Sequence, residues 1–98
     1  MSEPVLTPGD VDAALAEQGI AWERQDDQLT TTVTLRDFAG ALAFVNEVGA
    51  AAEAANHHPD IDIRWNKVRL VLTTHDAGGL TVLDLALAAA IDRLRPLR

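Results

Sequence analysis

The segment from Leu29 to Leu35 constrains the fold more than any other part of this chain. Leucine or valine stands at positions 29, 33 and 35, and threonine stands at 30, 32 and 34. β-Branched residues with a period of two are typical of a strand with one buried face. The segment from Val68 to Thr74 alternates in the same way, with Leu70 on its apolar side. The sequence therefore predicts a sheet with one apolar face.

Each of these strands follows a shorter predicted strand. Ile20–Arg24 precedes the first across the polar stretch Gln25–Gln28. Asp60–Trp65 precedes the second, with Asn66-Lys67 as a two-residue turn, because asparagine tolerates positive φ. Two such hairpins predict an antiparallel sheet of four strands.

Stretches with helical spacing flank and separate the hairpins. The predicted helices run from about Pro8 to Gln18, from Asp37 to about Asn56 or His57, and from Thr81 to just before Pro96. Asp37 is a good N-cap. Asp84 follows Thr81 by three residues, in capping-box position. Pro59 disfavours a helical conformation at His58, so the second helix is expected to end before it.

The apolar stripes of the two longer helices predict which sides are buried. The expected core positions of the second helix are Phe38, Leu42, Val45, Val48, Gly49 and Ala52. Those of the last helix are Leu83, Leu87, Ala90, Ile91 and Leu94, with further apolar residues at Val82, Leu85, Ala86 and Ala89. A helix that is apolar nearly all round is usually covered on more than one side. We therefore expect a second subunit against the last helix.

The order helix, hairpin, helix, hairpin, helix predicts an α+β fold. Hairpins form the antiparallel sheet, and the helices are expected on one of its faces. With 98 residues, the chain is expected to be a single domain covering residues 1–98.

Charge and composition narrow the function classes. The net charge is −7 and the eight lysines and arginines are scattered, which argues against nucleic acid and anionic membranes. The chain has no cysteine, and its first ten residues do not resemble a signal peptide. No apolar run approaches the roughly 18 residues of a membrane span. A cytoplasmic location is therefore expected.

The three histidines are the first candidates for chemistry. His57 and His58 are adjacent, His75 follows the second long strand, and Glu53 lies four residues before His57. Imidazole is the side chain whose ordinary pKa lies near neutrality, so it can donate or accept a proton at working pH. Glu53 and His57 would be neighbours if the helix continued that far.

The spacing of seven residues matches a known pattern. Glu53 is followed by His57-His58-Pro59, then Trp65, His75 and Asp84. In these positions the chain resembles the signature of the pterin-4a-carbinolamine dehydratase family. Further similarity, at Trp22, Asp37-Phe38, Asn66-Lys67-Val68, Thr74-His75 and Gly79-Leu80-Thr81, extends the resemblance over about residues 10–94.

The resemblance implies a reaction and an assembly. The substrate would be 4a-hydroxytetrahydrobiopterin or a related pterin, and the products quinonoid dihydropterin and water, in the recycling of tetrahydrobiopterin. The implied enzyme is a hydro-lyase that needs no metal and no redox cofactor. It would assemble as a homo-oligomer, a dimer or a tetramer.

The family signature also suggests roles for individual residues. We expect His57 and His75 to flank the C4a hydroxyl as acid and base, and His58 to hold the pterin. Glu53 would bind an imidazole of the cluster, and Asp84 would orient His75. The expected substrate-binding residues are Asn56, His57, His58, Thr73, Thr74, His75 and Asp76.

Two other functions stay open at this point. Three imidazoles and a water are a known catalytic zinc set, although His57 and His58 converge on one ion only if the backbone turns sharply between them. Members of the family also act as interaction proteins that dock onto helix-rich partners. A pterin-binding or coactivator-like module with little turnover is the second alternative. Asp84 also has a purely structural explanation, as part of a capping box.

Overall fold

The computed structural model describes residues 3–96, which form three α-helices and four strands. In chain order they are α1 (Pro8–Gln18), β1 (Glu23–Gln25), β2 (Gln28–Thr34), α2 (Phe38–Ala55), β3 (Asp60–Arg64), β4 (Lys67–Leu72) and α3 (Val82–Asp92), with a 3-10 turn at His75–Ala77 before α3. This order confirms the predicted α+β fold. Between residues 3 and 96, no helix has the length and hydropathy required to cross a membrane.

The strands form one antiparallel sheet in the order β1-β2-β4-β3. In the centre, Leu29 lies opposite Leu72 and Val33 opposite Val68. Ile63 of β3 lies opposite Val68 on its other side. Since directly opposed residues share a face, these apolar residues form one surface, here called the core face of the sheet.

All three helices contribute to the core over this face. Val11 of α1, Ala41, Phe44, Val48 and Ala52 of α2, and Leu85, Leu87, Ala88 and Ile91 of α3 are buried with the core-face residues of β2 and β4. The opposite face has the exposed residues Thr32, Arg69 and Asp62 in one row across three strands, and next to them the buried pair Thr30 and Val71. The predicted two-layer arrangement is therefore confirmed.

Local hydrogen bonds fix the predicted helix starts. The Thr7 hydroxyl accepts a bond from the Asp10 N–H, and the Asp37 carboxylate accepts one from the Gly40 N–H. Gly19 ends α1 with φ +63°. This left-handed conformation costs glycine little, because it has no Cβ.

Asp92 connects the end of α3 to the edge of the sheet. Its carboxylate accepts bonds from the Ala21 N–H at 2.7 Å, from the Trp22 indole Nε1 at 2.9 Å and from Arg95 Nε at 2.8 Å. Arg95 Nη2 in turn donates to the Thr31 hydroxyl at 2.7 Å. Through this cluster, the end of α3 is held to the segment just before β1 and to β2.

A surface ion pair links α1 to β1. Arg24 donates from Nε and Nη2 to the two carboxylate oxygens of Asp12, at 2.8 and 3.2 Å. This hydrogen bond lowers the pKa of the Asp12 carboxyl below its usual value of 3.8. A carboxyl with a lowered folded-state pKa stabilises the fold above its ordinary pKa, and that contribution disappears as the pH falls through the lowered value.

The first strand is shorter than predicted, and it starts at Glu23 rather than Ile20. Ile20 and Trp22 are buried, at 7% and 4% exposure, but lie before the strand. The reason is that the Ala21 N–H donates its hydrogen bond to the Asp92 carboxylate. The Ala21 carbonyl is also occupied, by the Thr31 hydroxyl. Side chains therefore replace a backbone partner at this position.

The second turn lies one residue earlier than predicted. Arg64 pairs with Lys67, so the turn residues are Trp65 and Asn66. Asn66 is held by Leu35: its carbonyl accepts from the Leu35 N–H and its side-chain amide donates to the Leu35 carbonyl. Trp65 therefore occupies the first turn position, with φ +54° and its side chain 65% exposed.

The buried side of α2 differs in part from the prediction. Val48 and Ala52 are buried as expected, but Phe38 and Leu42 are 46% and 43% exposed. The core instead takes Ala41 and Phe44. Both sets have helical spacing, so periodicity alone does not select between them.

The prediction for α3 also holds only in part, because Leu83 is 37% exposed and Leu85 is buried. Leu87 and Ile91 are buried as expected, at 2% and 0% exposure. The helix ends at Asp92, four residues before Pro96.

Candidate active site

The end of α2 separates the two adjacent histidines. The helix stops at Ala55, and Asn56 takes a left-handed conformation with φ +50°. The His57 N–H still donates to the Ala52 carbonyl at 3.1 Å, which closes the helix end. With Pro59 next, the chain then leaves the helix. His57 and His58 consequently contact different carboxylates.

His57 pairs with a buried carboxylate of α3. Its Nε2 lies 2.6 Å from Asp84 Oδ1. The Asp84 side chain is fully buried and that of His57 is 11% exposed. A buried charge requires several partners to offset its lost hydration. Asp84 was expected to orient His75, and this expectation is wrong: the imidazole that it contacts is that of His57.

The second oxygen of Asp84 has partners from two elements. Oδ2 accepts from the Thr74 hydroxyl at 2.7 Å and from the Thr81 N–H at 3.0 Å. The hydroxyls of Thr74 and Thr81 lie 2.9 Å apart, and Thr81 Oγ1 accepts from the Leu83 N–H. Asp84 and Thr81 thus form the predicted capping box of α3. The same carboxylate caps the helix and holds His57.

His58 pairs with Glu53 at the surface. Glu53 Oε2 lies 2.5 Å from His58 Nε2, and the two side chains are 77% and 56% exposed. The predicted contact between Glu53 and an imidazole is therefore present. Its partner is His58 rather than His57, because the helix does not continue through residue 57.

His75 begins the 3-10 turn that follows β4, and it is exposed. The backbone of Thr74 pairs with that of Gly79 across this turn, at N–O distances of 3.2 and 3.4 Å. Gly78 takes φ +80° inside the turn. His75 thus directly follows the threonine that donates to Asp84, so one short segment carries both residues.

The four other predicted substrate-binding residues fall into two groups. Asn56 and Asp76 are exposed. Thr73 and Thr74 already use their hydroxyls within the protein: Thr73 donates to the Asp27 carbonyl at 2.8 Å, and Thr74 donates to Asp84. Thr74 is also buried, at 7% exposure. The geometry therefore favours a supporting role for the two threonines over direct contact with a substrate.

An apolar groove of about 360 Å³ lies between α2 and α3 and includes His57. The rest of its lining is alanine and leucine: Ala51, Ala54, Ala55, Leu83, Ala86, Leu87 and Ala90. This groove was not predicted from the sequence. The signal that could have found it was the helical spacing of small residues on both helices, which leaves space between them.

The described residues offer no ligand set for the zinc alternative. No group of three His, Asp or Glu side chains is arranged to hold a metal ion between residues 3 and 96. His57 and His58 instead bind separate carboxylates.

Comparisons with known proteins agree on one family. The model of the family described as pterin 4 alpha carbinolamine dehydratase matches residues 4–94. A protein of Chloroflexus aurantiacus, named provisionally as a pterin-4-alpha-carbinolamine dehydratase, is 52% identical over 91 residues, which cover 93% of this chain and 97% of that protein. A protein of Acidobacterium capsulatum with the same provisional name is 52% identical over 89 residues, covering 91% and 96%.

Solved structures give the same answer for the fold. A transcriptional coactivator/pterin dehydratase from Brucella melitensis superimposes with a TM-score of 0.86 and 26% identity, over 94% of this chain and 99% of that one. A pterin dehydratase-like RuBisCO assembly factor of the alpha-carboxysome has the same fold, with a TM-score of 0.63 and 22% identity over 79% and 89%. The chain belongs to the pterin 4 alpha carbinolamine dehydratase family.

Proposed function

We propose that the protein is a hydro-lyase that dehydrates 4a-hydroxytetrahydrobiopterin to quinonoid dihydropterin, in the recycling of tetrahydrobiopterin. The observation that carries this proposal is the contact between His57 and buried Asp84 at 2.6 Å. A carboxylate that holds one ring nitrogen orients the imidazole for proton transfer at the other. Membership of the family is the reason for proposing a pterin substrate, and His57 is the proposed acid/base group.

The reaction needs two proton transfers and no change of oxidation state. The hydroxyl at C4a takes one proton and leaves as water with the electrons of the C–O bond. The neighbouring ring nitrogen gives up one proton, and a C=N double bond forms. His57 and His75 are the proposed acid and base, and each transfer contributes roughly 100- to 10,000-fold in rate. Neither step draws on a metal or a redox cofactor.

The exposed residues of the site bind the pterin in this proposal. His58, with its ring held by Glu53, contacts the substrate from the end of α2. Asn56 and Asp76 are exposed on the two chain segments that carry the histidines. Their amide and carboxylate groups suit the donors and acceptors of a pterin ring.

The proposal includes a homo-oligomer, a dimer or a tetramer, in the cytoplasm. Phe38 and Leu42 on α2, and Val82 and Leu83 on α3, are between 37% and 50% exposed. Exposed apolar side chains on two helices favour contact with another protein surface.

Stopped-flow dehydration of freshly generated 4a-hydroxytetrahydrobiopterin tests the reaction. We expect wild-type protein to accelerate it, and His57→Ala and His75→Ala each to lower turnover about 100-fold or more. Asp62→Asn, on the polar face of the sheet, is the matched control and should keep full activity. Full turnover in either histidine variant would contradict the acid/base assignment.

A second function is favoured by the exposed apolar helix surfaces and by the name of the Brucella melitensis neighbour. It is a pterin-binding or coactivator-like module with little turnover. Equilibrium binding of a pterin by folded protein that does not accelerate dehydration would support this second function. Native mass measurements with and without candidate partners would then identify the assembly.

A further inference from the structure

Two buried threonine hydroxyls stand behind the carboxylate that holds His57. Thr74, two residues after β4, is 7% exposed, and Thr81, the N-cap of α3, is fully buried. Their oxygens lie 2.9 Å apart, and Thr74 Oγ1 lies 2.7 Å from Asp84 Oδ2. The helix cap needs only Thr81 and Asp84, so the Thr74 hydroxyl is an additional component.

The directions of these hydrogen bonds follow from the chemistry of the groups. An ionised carboxylate only accepts, and a hydroxyl donates one hydrogen. Thr74 therefore donates to Asp84, and Thr81, which accepts from the Leu83 N–H, donates to Thr74. Asp84 Oδ1 is then an acceptor as well, so the hydrogen between it and His57 belongs to Nε2 of the imidazole. Each hydrogen bond has one direction, from Thr81 through Thr74 to Asp84.

We propose that Thr74 and Thr81 are positioning residues that act through Asp84 to hold His57 as the Nε2–H tautomer, with Nδ1 as its proton-exchanging atom. The inference rests on the proposed function, because it takes His57 as an acid/base group. To that function the inference adds the atom of His57 that exchanges the proton, and the two hydroxyls that determine which ring nitrogen this is. Thr74 was expected to contact the substrate; in this proposal it acts on His57 through Asp84 instead.

A purely structural role for the threonines makes a different prediction. If the two hydroxyls only stabilised the start of α3, their loss would lower stability and leave the His57 ring unchanged. If they orient Asp84, their loss frees the carboxylate to rotate, and the preference for Nε2–H weakens. The imidazole tautomer therefore distinguishes the two roles.

The test compares Thr74→Val with Thr74→Ser. Valine has nearly the shape of threonine but lacks the hydroxyl, whereas serine keeps it. The tautomer is measured by nitrogen-15 NMR of the imidazoles, which is practicable because the chain has only three histidines. Turnover of the 4a-hydroxytetrahydropterin and the unfolding midpoint are measured on the same samples.

We expect His57 in wild type and Thr74→Ser to be the Nε2–H tautomer, and Thr74→Val to show a mixture. We expect kcat to fall roughly tenfold in Thr74→Val, as for the loss of one hydrogen bond to a charged group, with KM within about twofold. Serine should restore kcat to within about threefold of wild type. An unchanged tautomer and kcat in Thr74→Val, with stability alone reduced, would overturn the proposal.

Two further outcomes keep the inference separate from the function on which it rests. If Thr74→Val does not fold, the wild-type spectrum is still a test, because an Nδ1–H tautomer of His57 would refute the proposal that the threonines act through Asp84. If the wild type has no dehydratase activity but the tautomer shifts in Thr74→Val, the positioning role of Thr74 is supported and the proposed reaction is not.

Discussion

Asp84 is the residue on which the candidate site and the fold depend together. It is fully buried, and its two oxygens have different partners, since Oδ1 contacts His57 whereas Oδ2 accepts from Thr74 and from the Thr81 backbone. Asparagine at this position keeps the shape but removes the charge, and its amide has one accepting and one donating end. The substitution therefore separates the contact with His57 from the helix cap.

We therefore predict that Asp84→Asn lowers kcat strongly and stability only moderately. The amide oxygen can serve the two donors from Thr74 and Thr81, which leaves the NH₂ group against His57 and forces the ring into the other tautomer. In serine proteases the comparable change costs about 10,000-fold, and we expect roughly 100- to 10,000-fold here. Single-turnover dehydration and thermal unfolding by circular dichroism measure the two effects. Equal activity of Asp84→Asn and wild type would show that the carboxylate does not orient His57.

The candidates for this site can be named from the sequence, but the contacts between them cannot. The spacing of histidines and carboxylates identifies Glu53, His57, His58, His75 and Asp84 as candidates. It does not show that Asp84 contacts His57 or that Glu53 contacts His58. Those contacts depend on the left-handed conformation of one residue at the end of α2, which redirects the chain between the two imidazoles.

At the level of elements, the two hairpins and three helices follow from local patterns, whereas their ends depend on distant contacts. The second turn is displaced by one residue because Asn66 is held by Leu35, 31 positions earlier. The first strand is shortened because Ala21 is held by Asp92, 71 positions later. Local propensity contains no information on either contact.

The Asp92 cluster makes the connection between α3 and the sheet testable. We predict that Asp92→Ala lowers the free energy of unfolding by about 2 to 4 kcal/mol, because it leaves the buried Trp22 indole N–H and the Ala21 N–H without their acceptor. Urea denaturation followed by tryptophan fluorescence measures the loss.

The matched control for this prediction is Asp62→Ala, which removes an exposed pair with Arg64 at 3.5 Å. Its effect should stay within about 0.5 kcal/mol, as for most surface ion pairs. Similar losses in the two variants would mean that the Asp92 cluster contributes no more than an ordinary surface contact.

The dimensions of the whole molecule explain why so many apolar side chains remain outside its core. Its extents are 38 × 26 × 19 Å, and its radius of gyration is 13.1 Å, close to the ~13 Å expected for about 100 residues. The shortest extent has room for one sheet and one helix layer, at spacings of about 10 Å. Each helix therefore has one covered side and one open side, and the open sides of α2 and α3 are partly apolar.

Two phenylalanines of α2 test this division of the surface. We predict that Phe44→Ala, at a position that is 3% exposed, costs about 3 to 5 kcal/mol of stability in dilute protein. Phe38→Ala, at a position that is 46% exposed, should cost less than about 1 kcal/mol under the same conditions.

Sedimentation of both variants completes the comparison. A shift of Phe38→Ala toward smaller species, with an unchanged fold, would support the proposed homo-oligomer through this side of α2. The apolar spacing alone predicts that Phe38 is buried, whereas the structure places it at the surface. A large loss of stability in dilute Phe38→Ala would therefore contradict the observed orientation of α2.

The double use of Asp84 has a consequence for how relatives of this chain should be classified. A relative without dehydratase activity would still need an N-terminal cap for its last helix, so selection for folding alone would retain an aspartate there. His75 lies exposed on a turn, and replacing it costs the fold little. Inheritance of the aspartate is therefore poor evidence of catalysis, whereas under the proposed acid/base role of His75 a descendant without the turn histidine is expected to have lost the reaction.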